Sequence, residues 1–419
     1  MKPRDLPLNT DLSLIMHIDL NSCFATTEQQ ARPLLRDRPV AVVNRRTFHT
    51  AIITASYEAK ARGVKMGMKV NEALKLVPEL IVVETDPQKY HFVYKKLLGI
   101  MRSYSPNVVM KSIDEGVIDF SDTHRTINTS NLWAIGIEIK QRLKGEVGNY
   151  MKCNIGIAPN RFLAKTAAGM NKPDGLTQID HNNLYDQFTK LKLTDLTGIA
   201  RRNEAKLHAV GIKTPLDFLN TDEMTLSRLV FKGKPGRDWY RRLRGYEVDA
   251  APTKMGIVGR QYVLESKGLS REEVLRRLHF LCQSTAEKLR FKNKQARGVV
   301  VFASPRRFSK GWGVRYLAKE PFCSTEEIYE KVKTLFASAP AAAEIRIIGV
   351  TCYHLSDLNK RQPHLWDIPV GLNESLNSTI DAINYKYGSH SIQVADTLGL
   401  EKIMKQKIPF GSTRYFELI

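Results

Sequence analysis

Apolar positions fall in two rhythms through the first 180 residues. Short apolar runs bounded by polar or turn residues read as strands at residues 13–20, 107–112, 116–120 and 152–157. Residues 88–104 and 131–144 instead place apolar side chains every three or four positions and read as amphipathic helices. The order is βαββαβ, a ferredoxin-like pattern, with residues 23–85 inserted between the first strand and the first helix. In that fold the first and third strands are central neighbours. Pro159 opens a further helix, and the turn Lys172-Pro-Asp-Gly175 closes it. Residues 180–248 read as a basic helical segment and residues 249–257 as a linker. Residues 257–356 mix helices with strands and read as a second α/β domain. The last sixty residues read as a separate tail, with a helix near residues 373–387. The fold class is therefore α+β.

Polar chemistry enters at the strand ends. Asp19 closes the first strand, and Asp114-Glu115 lies between the two middle strands. A carboxylate at the end of a buried strand is costly unless it is paired or holds a cation. If the first and third strands are neighbours, three carboxylates meet at one sheet edge, a natural cage for two Mg2+ ions. That points to phosphoryl or nucleotidyl transfer; read on spacing alone, Asp114-Glu115 is equally a solvated turn. Asp119 points elsewhere by strand alternation and reads as structural.

Composition narrows the partner. Lys and Arg number 64 against 43 Asp and Glu, a net charge of +21 over 419 residues, enough chain for two to four domains. Such a charge calls for an anionic partner, nucleic acid first. Residues 257–356 alone hold 18 basic against 9 acidic residues. No apolar run is long enough to span a bilayer, and the first residues lack the apolar core of a signal peptide. The five cysteines are far apart with no CxxC pair, which argues against a zinc site or disulfide framework and fits a reducing cytoplasm.

Four segments, in this order and spacing, resemble the Y-family, translesion-type DNA polymerases of the DNA polymerase IV and UmuC kind. They are Ile18-Asp-Leu-Asn-Ser-Cys-Phe-Ala25, Ala55-Ser-Tyr-Glu-Ala-Lys-Ala-Arg-Gly-Val-Lys-Met-Gly67, Ser112-Ile-Asp-Glu115 and Gly156-Ile-Ala-Pro-Asn-Arg-Phe-Leu-Ala-Lys165. The resemblance runs to about residue 356. It implies a right hand: a ferredoxin-like palm (13–22 and 86–179), small fingers (23–85), a helix-hairpin-helix thumb (180–248) and an α/β little finger (257–356), followed by a tail (357–419). It implies error-prone, template-directed DNA synthesis past damage without proofreading, by a cytoplasmic monomer acting on primer-template DNA and dNTPs.

The resemblance also carries roles to residues. Asp19, Asp114 and Glu115, with the carbonyl of Leu20, match the ligands of two Mg2+ ions. Phe24 matches the steric gate that excludes a 2′-hydroxyl, while Cys23 beside it reads as packing. Thr54 and Tyr57 match triphosphate contacts, and Lys60 stands where an arginine is common. Lys172 matches a palm lysine that reaches the phosphates. Thr197-Gly198-Ile199 resembles the phosphate-binding turn of a helix-hairpin-helix, with Ala200 where a glycine is usual. The cluster Arg237–Arg244 adds positive charge, and Arg306, Arg307 and Lys310 are placed to grip template backbone. Gln362, Leu365 and Trp366 resemble a sliding-clamp-binding peptide. Gly116 replaces the usual alanine and is expected to loosen its strand. Two other readings are a non-catalytic scaffold of a mutagenesis complex and a nucleotidyl cyclase. The retained carboxylates argue against the first, and the thumb and basic second domain against the second.

Overall fold

The computed structural model describes residues 6–123, 129–251, 255–264, 268–305, 311–358 and 371–404. The chain divides between residues 252 and 253 into two compact units.

The first unit opens with β1 (Ile15–Leu20) and α1 (Cys23–Ala31). There follow β2 (Val40–Val43), β3 (Ile52–Ala55), α2 (Tyr57–Ala61), α3 (Val70–Leu76) and β4 (Ile81–Glu84). Next come α4 (Pro87–Arg102), β5 (Val108–Met110), β6 (Glu115–Asp119), α5 (Thr129–Glu146), β7 (Cys153–Ala158), α6 (Arg161–Gly169) and β8 (Leu176–Gln178). The main sheet has the order β5-β6-β1-β7-β8, antiparallel except for β7–β8. Its first four strands are the expected ferredoxin-like set, with β1 central. The added β8 is three residues long, too short to show a period.

Alternation along β1 explains the two layers. Met16, Ile18 and Leu20 face a core built with Leu97 and Ile100 of α4 and Ile139 and Leu143 of α5. Ile15 faces the other side, in a core with Val117, Ala158 and Phe162. Helix α6 lies close on that second face because β7 carries Gly156, where a Cβ would collide with the backbone of Ala164 and Ala168. Asn160, not Pro159, caps α6: its side chain accepts from Leu163 N at 2.7 Å. Gly116 does not loosen its strand. It pairs regularly with Ile18, and Met101 and Met110 fill the space its missing side chain leaves.

The insertion forms a separate sheet, β3-β2-β4, with a core of Val43, Ile52, Ala55, Val70 and Val77. Its expected start at residue 23 counts α1 with the insertion, whereas Cys23, Phe24 and Ala25 of α1 belong to the core of the main sheet.

The helices after β8 are α7 (Leu184–Thr189), α8 (Arg201–His208), α9 (Pro215–Asn220), α10 (Glu223–Thr225) and α11 (Lys234–Leu243). Phe218, Trp239 and Leu243 join Phe162 and Val117 in one core, so these helices and the sheet are not independently packed. The N-terminal segment ties them further. Tyr240 Oη accepts from Leu6 N at 3.1 Å, and Arg244 O accepts from Asn9 N at 2.8 Å.

The second unit contains β9 (Ile257–Val263), α12 (Arg271–Phe291), β10 (Lys294–Pro305), β11 (Trp312–Phe322), α13 (Thr325–Phe336) and β12 (Ile345–Asp357), with sheet order β11-β10-β12-β9. Two further helices, α14 (Gly371–Tyr387) and α15 (Leu400–Ile403), correct the expectation of a separate tail. Leu400 and Met404 enter the core of this unit. Arg290 of α12 donates from Nε and Nη2 to the two oxygens of Asp381 at 2.6 and 2.7 Å. His279 Nδ1 lies 2.9 Å from Asp396 Oδ2. The tail's apolar side chains therefore have a face to cover. Among the described residues no helix is long and apolar enough to cross a membrane.

Candidate active site

The register of β1 assembles the site. Asp19 stands directly opposite Glu115 on β6 and Asn154 on β7. Asp114 sits in the turn before β6, held by Leu20 N, which donates to its carbonyl oxygen at 2.8 Å. The three expected carboxylates and Leu20 thus share one sheet edge. Burial foremost, and then the nearness of Asp19 and Glu115, holds the Asp114 carboxyl above its ordinary range, against a hydrogen bond donated by Ser112 Oγ. Burial also works to raise Glu115, but hydrogen bonding and charge from His17 and Lys165 outweigh it and bring its pKa down to about 2. Lys165 Nζ lies 2.9 and 2.7 Å from the two Glu115 oxygens, and His17 Nε2 lies 3.2 Å from Oε2.

Lys172 Nζ lies 3.0 Å from Asp19 Oδ2. Its loop is fixed to the sheet by two buried asparagines. Asn21 Oδ1 accepts from Asp174 N at 2.8 Å, Asn154 Oδ1 from Gly175 N at 3.0 Å, and Asn21 Nδ2 donates to Asn154 Oδ1 at 3.1 Å.

The donor set is oxygen alone: three carboxylates and a backbone carbonyl, which suits a hard divalent cation. Among the described residues no three acidic, histidine or cysteine side chains are drawn together tightly enough to grip an ion as they stand. Asp19 turns toward Lys172, and Glu115 toward Lys165 and His17. Burial first, and the charges of Asp19 and Glu115 after it, disfavour the charged form of Asp114, and a cation at this edge would offset both. The residues therefore fit a metal, with the lysines as competitors for the same oxygens.

The residues expected at the triphosphate lie close to Asp19 as well. Ser22 follows Asn21 with φ 47°, a left-handed backbone that starts α1. Lys60 Nζ donates to Ser22 Oγ at 2.6 Å and lies 4.8 Å from the Tyr57 ring. Burial, and then the nearby positive charge of Lys172, pulls the Lys60 pKa down. Burial raises that of Tyr57, with Asp19 adding to the rise. Lys60, Lys172, Tyr57 and Asp19 are thus one electrostatic cluster. Thr54, half-buried on β3, stands three residues ahead of Tyr57.

Phe24 is 5% exposed and stacks on Tyr90 of α4, centroids 4.4 Å apart. Tyr90 Oη donates to Glu28 Oε1 at 3.0 Å, and Lys89 Nζ meets Glu28 Oε2 at 3.0 Å. The ring is therefore backed by an anchored aromatic. Burial raises the Cys23 thiol pKa, in keeping with its packing role. Asp119 lies at the far end of β6, 2.8 Å from Arg161, which also meets Glu247.

The turn Thr197-Gly198-Ile199 precedes α8. Gly198 has φ 96° and lies under Trp239, Ile199 is buried, and Thr197 and Gly198 are exposed. Ala200 has φ −100°, which any residue adopts, so alanine in place of glycine introduces no strain. The basic cluster after it needs correction. Arg244 is buried, donating to Leu6 O and Tyr240 O, and Arg242 is spent on Asp249 at 2.6 and 2.8 Å. Only Arg237 and Arg241 are exposed. Arg306, Arg307, Lys310, Gln362, Leu365 and Trp366 lie outside the described residues.

Four positions escaped sequence reasoning. His17 and Asn154 look like ordinary strand residues, and Asn21 and Lys165 lie within recognised motifs without assigned partners. A signal was present for Asn154: an amide within an otherwise apolar strand needs partners.

Known proteins align with this arrangement. A family described as impB/mucB/samB matches residues 18–169, and its C-terminal domain matches residues 258–365. DNA polymerase IV of Staphylococcus aureus strain JH9 is 31% identical over 362 residues, covering 84% of this chain and 98% of that protein. The strain Newman protein is 30% identical over the same length. Among solved structures, the Y-family DNA polymerase chimera Dbh-Dpo4(243-245)-Dbh superposes with a TM-score of 0.70 at 22% identity, covering 81% of this chain and 98% of its own. An insertion ternary complex of Dbh DNA polymerase gives 0.57, also at 22% identity with the same coverage.

Proposed function

We propose the residue roles below from the premise that the chain belongs to the impB/mucB/samB family of Y-family DNA polymerases. It is a metal-dependent, DNA-directed DNA polymerase of the translesion type. Asp19, Asp114, Glu115 and the Leu20 carbonyl hold two Mg2+ ions. When bound, these ions acidify the primer 3′-hydroxyl and neutralise charge on the departing pyrophosphate. Lys60, Lys172, Tyr57 and Thr54 hold the triphosphate; Ser22 aims Lys60, and the two asparagines aim Lys172. Lysine at position 60 supplies a point charge in place of a planar fork, so the Ser22 hydroxyl takes over part of the aiming. Phe24, backed by Tyr90, presents a flat ring to the sugar and excludes a ribose hydroxyl.

The main sheet with α4, α5 and α6 acts as the palm, residues 33–85 as the fingers with α1 bridging the two, α7 to α11 as the thumb, and the second unit as the little finger. The backbone amides of Thr197, Gly198 and Ile199 hold a DNA phosphate without reading sequence. Arg306 and Arg307 grip the template backbone, and Gln362, Leu365 and Trp366 dock on a sliding clamp. The protein works as a monomer on primer-template DNA and dNTPs.

The observation that carries this reading is the meeting of Asp19, Asp114 and Glu115 at one sheet edge, beside Lys172. Primer extension on undamaged and abasic templates tests it, with Asp114→Ala as the control. Extension that disappears in the variant while DNA binding persists is the expected result. Equal extension by the variant would refute the metal assignment.

A further inference from the structure

His17 lies on β1, opposite Val117 and Gly156 and two residues ahead of Asp19, with only 1% of the residue exposed. On this face Ile15 before it and Val117 across from it are apolar and buried, while Asp19 and Glu115 lie on its other side. A valine would sit there at lower cost than an imidazole, because a buried polar group must be hydrogen-bonded to recover its desolvation. Yet Nδ1 has no hydrogen-bond partner among the described residues. The ring's one polar contact is Nε2 to Glu115 Oε2 at 3.2 Å. A carboxylate only accepts, so Nε2 carries the hydrogen and donates it. The position thus keeps a half-satisfied ring for the sake of a single bond to one carboxylate.

Lys165 does not make that bond redundant. Its ammonium straddles both Glu115 oxygens, 2.9 Å from Oε1 and 2.7 Å from Oε2. A flexible point charge placed so favours neither oxygen and resists rotation weakly. The imidazole is rigid, buried and carried on the central strand of the sheet. With it, Oε2 accepts two donors and Oε1 one, which leaves Oε1 the larger free acceptor capacity.

We propose that His17 is a positioning residue for Glu115: it fixes the carboxylate through Oε2 so that Oε1 is left to a divalent cation. The inference rests on the assignment of Asp19, Asp114 and Glu115 as metal ligands. Groups that hydrogen-bond a ligating carboxylate typically contribute about 10–100-fold to metal affinity.

The test is Mn2+ titration followed by electron paramagnetic resonance. It uses the full chain bound to a dideoxy-terminated primer-template and a dNTP. His17→Leu should weaken Mn2+ binding about 10-fold or more. His17→Gln, whose amide can still donate to Oε2, should recover most of the affinity. Asp114→Ala reports on the underlying assignment: if it binds Mn2+ as the wild type does, that assignment and this inference both fail. If Asp114→Ala loses binding while His17→Leu keeps wild-type affinity, the inference alone is overturned. Equal weakening by Gln and Leu would also overturn it, since packing and not the bond would then be responsible. Should the Leu variant not fold, His17→Asn replaces it, because the shorter amide stops short of Glu115. Tight binding by Gln with weak binding by Asn supports the proposal, and equal binding by the two overturns it.

Discussion

Asp19 and Glu115 face each other across an antiparallel ladder, and each is engaged by a different lysine, Lys172 for the first and Lys165 for the second. Two carboxylates in such register repel unless something positive stands between or beside them. The lysines offset that repulsion, and a divalent cation competes for the same oxygens.

Replacing any one of Asp19, Asp114 or Glu115 with alanine should therefore abolish primer extension. The loss of several kcal/mol of charge stabilisation corresponds to roughly a 10³-fold fall in rate. Steady-state extension beside a DNA-binding titration separates this from loss of substrate binding, which should change little.

Sugar selection should depend on the stacked pair Phe24 and Tyr90. Phe24→Ala should raise ribonucleotide insertion relative to deoxyribonucleotide insertion, measured as the ratio of kcat/KM values. Tyr90→Phe keeps the ring but removes the donor to the fully buried Glu28. It should cost about 1–3 kcal/mol of stability, read by denaturant unfolding, while leaving the sugar ratio close to wild type.

Acid stability of the first unit should report Asp119. Burial works to raise its carboxyl, but hydrogen bonds from Ser121 and the Arg161 guanidinium outweigh that and hold its pKa below the ordinary value. A carboxylate depressed in the folded state stabilises fully above its unfolded pKa of about 3.9 and loses that contribution as pH falls through the folded value. Asp119→Asn should thus be less stable near neutrality, and its stability should fall less steeply below about pH 4.

The C-terminal helices should be integral to the second unit. Leu400 is 3% exposed within its core, so Leu400→Ala should destabilise that unit by about 2–5 kcal/mol. Asp381→Ala would strip Arg290 of its two-pronged partner and should add a separate loss. Differential scanning calorimetry of the full chain reads both.

These contrasts mark what the residue pattern could and could not convey. Asp19 and Asp114-Glu115 were legible because a carboxylate ending an apolar run is chemically conspicuous, and the βαββαβ order placed them together. His17 was not, since one histidine among apolar neighbours reads as core until its partner on another strand is known. Arg244 read as surface charge because nothing in its local sequence reveals that Leu6 and Tyr240 enclose it. The tail was misread for the same reason. Its contacts with Arg290 and His279 join positions some hundred residues apart, beyond the reach of any local period.

The strap formed by the N-terminal segment has a bearing on biosynthesis. Leu6 N reaches Tyr240 across 234 positions, and Arg244 Nε returns to Leu6 O across 238. Phe162 and Trp239 share a core that likewise spans the unit. Chains emerge from the ribosome N-terminus first, at roughly 5–20 residues per second, and long-range pairings form late. The strand carrying Asp19 therefore leaves the ribosome well before Tyr240 and Arg244 exist to hold the segment ahead of it. A nascent chain stalled before residue 240 carries all three carboxylates of the proposed metal site but lacks the strap and part of the core against which they are set. The edge proposed to hold metal is therefore completed at the end of the unit's synthesis, not when its own residues are made.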